Sequence, residues 1–111
     1  MLPTLDNALV DDLVHVLKRD DQAGRYTITI GELKTPVEIR LHPRPTSYWV
    51  DFETSHCIRT PGMRQPYRPS AKYGDGAAPA LQRAISSIKT SYEEAVNEGF
   101  EPNEAWLVKN R

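Results

Sequence analysis

A single cysteine, Cys57, excludes an internal disulfide, and with it the small secreted domain built on disulfide staples. Metal-ligand spacing is missing too. The three histidines, His15, His42 and His56, are scattered, with no Cys-x-x-Cys or His-x-x-x-His pair. No apolar run approaches the roughly 18 residues that a membrane-crossing helix needs, so no membrane partner is expected. No basic start leads into an apolar segment, and no Asn-x-Ser/Thr sequon occurs. A reducing cytoplasm is the expected location. No glycine-rich loop with Lys-Ser/Thr behind it and no other cofactor motif is present, so neither a cofactor nor a catalytic residue is expected.

What remains suits an ordinary folded domain. Apolar residues make up 39% and charged residues 26% of 111 positions, enough for one core and too few for two. Net charge is −1, but unevenly spread: residues 1–24 carry −3, residues 25–74 carry +4 and residues 75–111 carry −2. Only the middle third invites a polyanion. Seven of the nine prolines lie between Pro36 and Pro79, which predicts long irregular connections there.

The stretch Asp75–Phe100 is the clearest element. Leu81, Ala84, Ile85, Ile88, Tyr92, Ala95 and Val96 recur at spacings of three and four, which is one face of an α-helix. Asp75 as N-cap, with Gly76 beside it and Pro79 in the first turn, predicts its start. Gly99 predicts its stop, with Phe100 placed to meet Val96. Leu5, Leu9, Leu13, Val16 and Leu17 predict a first helix, capped by Thr4 or Asp6 and ending near Lys18. Period two takes over in Tyr26-Ile28-Ile30, in Val37-Ile39-Leu41 and in Tyr48-Val50-Phe52, predicting three strands with one buried face. A short fourth is expected at His56–Arg59. Ala105–Val108 reads as an edge strand or a tail packed on the core. The expected fold is α+β with the order α-β-β-β-(β)-α. It is a two-layer sandwich in which an antiparallel three- to four-stranded sheet carries both helices on one face. The open face would display Thr27, Thr29, Glu38, Arg40, His42, Trp49, Asp51 and Glu53.

The helix, three strands and helix resemble the topology of the double-stranded-RNA-binding domain, and Gly74-x-Gly76 before the last helix adds to the likeness. That family carries lysines in the first turn of this helix. Here Ala77, Ala78, Pro79 and Ala80 stand there, so no binding residue is taken over.

Candidate chemistry is sparse. Cys57 and His56 are neighbours on an expected strand and would point to opposite faces; a buried, idle thiol accounts for Cys57 equally well. His42, Asp51 and Glu53 share the open face and could gather a metal, although solvated strand residues give the same pattern. Lys72, Gly74 and Gly76 precede a helix N-terminus that would favour an anion, but Asp75 puts a negative charge where the phosphate would sit.

The richest stretch runs from Thr54 to Gly74, with Arg59, Arg64, Arg68 and Lys72, no acid at all, and Tyr67 and Tyr73 interleaved. Arginine offers paired donors to phosphate, and tyrosine offers a stacking face. Arg40, Arg44 and Trp49 on the open sheet face would extend that surface. The plain alternative is a solvated loop with its tyrosines packed inward. Pro66-Tyr67-Arg68-Pro69 also has the form of a polyproline II ligand, a pattern common by chance. The glutamates 93, 94, 98, 101 and 104 read as a solvated helix flank or as internal partners for these bases.

The function expected is that of a small non-enzymatic binding domain. Its basic loop and open sheet face would contact nucleic acid or a nucleoprotein through Arg40, Arg44, Trp49, Arg59, Arg64, Tyr67, Arg68, Lys72 and Tyr73. The alternative is a protein–protein interaction module, such as an inhibitor, immunity, antitoxin or anti-defence factor, docking on a protein partner. An enzyme using the polar sheet residues is a third reading, without a motif behind it.

Overall fold

A computed structural model describes residues 4–110. The chain runs through a short helix α1 (Leu5–Leu9), strands β1 (Val14–Asp20), β2 (Arg25–Ile30), β3 (Val37–Pro43), β4 (Val50–Thr54), β5 (His56–Ile58) and β6 (Tyr73–Gly74), and helix α2 (Ala77–Asn97). A 3₁₀ turn (Glu104–Trp106) and β7 (Leu107–Lys109) complete it. Five strands form one antiparallel sheet in the order β1-β2-β3-β4-β6, while β5 and β7 make a separate two-stranded pair. The α+β class, the two-layer build and the antiparallel sheet are as the sequence implies.

Period two in the sequence becomes two faces in space. Tyr26, Ile28 and Ile30 of β2, Val37, Ile39 and Leu41 of β3, and Val50 and Phe52 of β4 are all buried. They lie under α2, whose Leu81, Ala84, Ile85, Ile88, Tyr92 and Ala95 face them in one core. Each fully buried Leu or Ile of this set contributes about 1.5–3 kcal/mol from apolar burial. Val96, expected on that stripe, is 40% exposed, and Ser87 is buried instead, its hydroxyl donating to the Ala84 carbonyl at 2.6 Å. The helix stops as expected. Gly99 has φ +95°, its N–H reaches the Val96 carbonyl, and the Phe100 N–H reaches that of Ala95. This pair of hydrogen bonds is the Schellman cap, and it favours glycine at the left-handed position.

Three expectations need correction. The first helix ends at Leu9 rather than near Lys18, and the next apolar residues belong to a strand. Thr4 does cap it, accepting from the Asn7 N–H at 3.1 Å. The chain turns at Asp11, whose carboxylate accepts the Leu13 N–H at 2.8 Å and whose carbonyl accepts the Val14 N–H. Val14 and Val16 then pair with Ile30 and Ile28. An aspartate turn and two β-branched residues beside a ready partner strand outweigh a helical stripe. A bulge interrupts β1 between Val16 and Lys18. This extra strand also removes the α-β-β-β-α order on which the double-stranded-RNA-binding likeness rested.

Second, Gly76 rather than Asp75 is the N-cap of α2, and no side chain caps it. Third, Tyr48 does not enter the core. It lies outside β4 in a turn closed by the Arg44 N–H on the Trp49 carbonyl, and it is 90% exposed.

Residues 54–76, read as a long basic loop with a short strand at His56–Arg59, do hold that strand as β5, and the rest of the stretch is pinned at several points. β5 pairs with β7, Tyr67 N–H bonds the Ile58 carbonyl at 2.8 Å, and Phe52 N–H bonds that of Lys72 at 2.9 Å. The tail is pinned as well. Glu104 accepts the N–H groups of Lys34 and Thr35 and the Thr35 hydroxyl, all at 2.8–3.0 Å, which holds its carboxyl below the usual range. Lys89 on α2 is ion-paired with Asp11 at the turn before β1.

Gly31 ends β2 at φ +55°, and a Cβ there would lie 2.3 Å from the ring of Tyr92, whose hydroxyl accepts the Glu32 N–H at 3.0 Å. Gly31→Ala combines strained backbone with overpacking and is expected to cost about 2–4 kcal/mol. Tyr92→Phe, which loses only the hydrogen bond, is expected to cost about 1 kcal/mol. Urea denaturation of both variants checks this; an alanine variant as stable as the parent would refute the close approach.

Candidate functional site

The pairing of β4 with β6 sets Asp51 opposite Tyr73 on the outer face of the sheet. The turn between β3 and β4 delivers Arg44 and Trp49 to the same place. Trp49 stacks on Tyr73 with ring centroids 4.8 Å apart, and the Arg44 guanidinium lies 5.0 Å from the Trp49 centroid and 5.1 Å from that of Tyr73. Arg44 is fixed by a two-pronged bond to Asp51, Nη2 to Oδ1 at 2.8 Å and Nε to Oδ2 at 3.0 Å. That bond holds the Asp51 carboxyl below its ordinary range and Arg44 above its own. Trp49 remains 42% exposed. The result is an aromatic platform locked by a cation, with the exposed ring of Tyr48 beside it in sequence.

Arg40 does not join this group. It sits between Arg25 and Glu53 in the sheet register and is ion-paired with Glu38, which lowers the Glu38 carboxyl. Arg40 and Arg44 therefore come to the face already neutralised. His42 approaches Glu53 at 3.6 Å, while Asp51 is occupied by Arg44. Among the described residues, no three His, Cys, Asp or Glu side chains gather as a metal-binding group.

The acid-free loop divides in two. At its outer turn, Arg59 and Arg64 are both exposed, and the Arg59 Nε–H donates to the Arg64 carbonyl at 3.2 Å. Further on, the 67–72 strap returns to the sheet, and Tyr67, Arg68, Pro69 and Lys72 wall a cleft of about 880 Å³. β4 is paired through β6 only at Val50 and Asp51, and the cleft opens beside the rest of that strand, with Phe52, Thr54 and Cys57 in its wall. Lys109 of β7 lines the cleft as well. Tyr67 is 46% exposed, so its ring is offered rather than buried. Sequence reasoning missed Lys109, because only the pairing of β7 with β5 carries it there. The strand expected at Ala105–Val108, continued by one residue, was the available signal.

The remaining candidates separate. Cys57 is buried, its thiol directed to the Val108 carbonyl at 3.6 Å, while His56 Nδ1 lies 2.8 Å from the Ser55 hydroxyl. Burial, with a smaller contribution from Lys109, pushes the His56 imidazole below its ordinary value. The two side chains form no dyad. At the start of α2, Asp75 is exposed and Arg83 donates to the Tyr73 carbonyl at 3.0 Å, so Lys72, Gly74 and Gly76 do not shape a phosphate loop.

No family model, no curated protein and no solved structure matches the chain.

Because its folded-state pKa is depressed, Asp51 contributes its bond to Arg44 at any pH above the ordinary carboxylate value of about 3.9 and loses it as the pH falls further. Trp49 fluorescence is therefore expected to stay constant from neutral pH to about 4 and to change only below that. Asp51→Asn should shift the emission at neutral pH; an unaltered spectrum in that variant would contradict the lock.

Proposed function

We propose that the protein is a small non-enzymatic binding domain that contacts single-stranded nucleic acid, alone or within a nucleoprotein, through its basic loop and adjoining outer sheet face. The observation that carries this reading is the acid-free run from Thr54 to Gly74. Its exposed Arg59, Arg64, Arg68 and Lys72 are held on a backbone pinned to the rest of the fold. Charge on a fixed frame loses little conformational freedom on binding. Tyr67 and the Trp49–Tyr73 platform supply stacking faces of the kind that bases use. The ion pairs of Arg40 and Arg44 move the electrostatic part of the contact onto the loop and leave the sheet face to offer shape and aromatic surface.

A second reading, a module docking on a protein, draws on one distinct feature. Tyr48, Trp49 and Arg44 crowd the tip of the β3–β4 hairpin, and these three residue types dominate binding hot spots in protein interfaces.

Salt separates the two. If the four loop bases each neutralise one phosphate, affinity for a random oligonucleotide should fall about 50-fold between 50 and 200 mM salt. Arg64→Ala combined with Arg68→Ala should abolish that binding and leave the circular dichroism spectrum unchanged. An oligonucleotide that fails to bind at low salt would turn the assignment to the protein partner.

A further inference from the structure

We propose that the cleft between β4, the 67–72 strap and β7 is a binding site for a nucleoside phosphate, free or as the 5′-terminal nucleotide of a single strand. In its strand-end form the proposal rests on the nucleic-acid reading above; in its free form it does not. Three observations lead to that ligand class.

The first is charge. Arg68, Lys72 and Lys109 come from two separate segments onto one cleft, and none of them holds an ion pair among the described residues. The one carboxylate in the wall, Glu53, lies 3.6 Å from His42 Nε2 on the outer face of the sheet. Three cations without an ion pair outnumber that single carboxylate and favour a ligand of more than one negative charge. A terminal phosphate carries that charge, and Arg68 supplies the paired donors that match its oxygens.

The second is shape. About 880 Å³ lies within the range of small-molecule sites and exceeds what a bare inorganic anion would fill. The third is the aromatic and apolar wall. Tyr67 and Pro69 stand on the strap, Tyr67 with nearly half of its surface open, while Phe52 closes the wall from the strand as a buried core residue. A planar base finds a face there while its phosphate meets the cations. Beyond this wall a second hollow of about 530 Å³ continues along α2, sharing Phe52, Tyr67, Pro69 and Ser87 with the first. Ser70, Ser86, Thr90 and Ser91 line it with hydroxyls, and Glu94 adds a carboxylate, a lining suited to the hydroxyls of a sugar rather than to a second phosphate.

Lys109 makes the test selective, because it lies outside the basic loop, whereas Arg64 belongs to the loop and lies outside the cleft. Two probes are titrated into the full chain: uridine monophosphate, followed by amide chemical shifts, and an octauridylate with or without a 5′-phosphate, followed by anisotropy. The expected result is that the monophosphate shifts the amides of Lys72, Val108 and Lys109, and that the 5′-phosphate tightens octamer binding about tenfold. Lys109→Ala should remove both effects. Arg64→Ala should weaken both octamers alike and leave the tenfold ratio and the monophosphate shifts in place. Tyr67→Ala, at an exposed ring, provides a second variant that should weaken the monophosphate if Lys109→Ala fails to fold. Equal affinity of the two octamers with no monophosphate shifts overturns the cleft, even where salt-dependent octamer binding persists and the loop reading survives. Monophosphate binding without octamer binding upholds the cleft as a small-molecule site and removes the nucleic-acid function.

Discussion

One helix covers one face of one sheet, and most of the molecule follows from that constraint. The apolar side of α2 can bury only residues that point toward it, so β2, β3 and β4 must alternate strictly between apolar and polar. A slip of one residue in any of these strands would drive charges into the core. The register that results places every polar alternate on the outer face in fixed cross-strand neighbourhoods: Thr27 by Glu38, Arg40 by Glu53, His42 by Asp51, and Asp51 by Tyr73. The outer surface is thus a by-product of core packing, and its chemistry is set by which residues the core leaves over.

That accounts for what could be read in advance and what could not. The α2 stripe, its glycine stop and the two clean strands β2 and β3 were legible because local preference and tertiary need agree there. The first helix was misread because Leu9, Leu13, Val16 and Leu17 satisfy a helical period by spacing alone. The turn at Asp11 and the waiting edge of β2 decide the matter, and neither lies in the stripe. The residues of the Arg44–Trp49–Tyr73 cluster were each singled out, but not as a group, since Tyr73 reaches Trp49 only through β6, a two-residue strand with no sequence signal of its own. The cleft was invisible for the same reason. Lys109 and Arg68 are far apart in the chain, and only the β5–β7 pair brings their segments together.

The ion pairs redistribute what composition suggests. Counting arginines assigns positive charge to the sheet face, yet Glu38 and Asp51 consume it there, and exposed pairs of this kind organise side chains more than they stabilise the fold. Arg44 is the clearer case: bound to Asp51 and lying against two rings, it acts as a spacer that holds an aromatic surface upright. The unneutralised bases lie instead on the loop and around the cleft: the run from Thr54 to Gly74 contains no acid, and Glu53 is the one carboxylate in the cleft wall.

The irregularity in β1 has a bearing on how the protein keeps to itself. As the outermost strand, β1 exposes backbone donors and acceptors along with Val16 and Leu17, which is the template that fibrils and unwanted sheet extensions grow upon. The bulge after Val16 breaks the even spacing of those groups, and Lys18 and Arg19 follow at once with charge. A neighbour strand arriving there would find its hydrogen bonds out of step within three residues. For a domain with almost no net charge to repel its own copies, one extra residue at the edge works against the growth of a shared sheet.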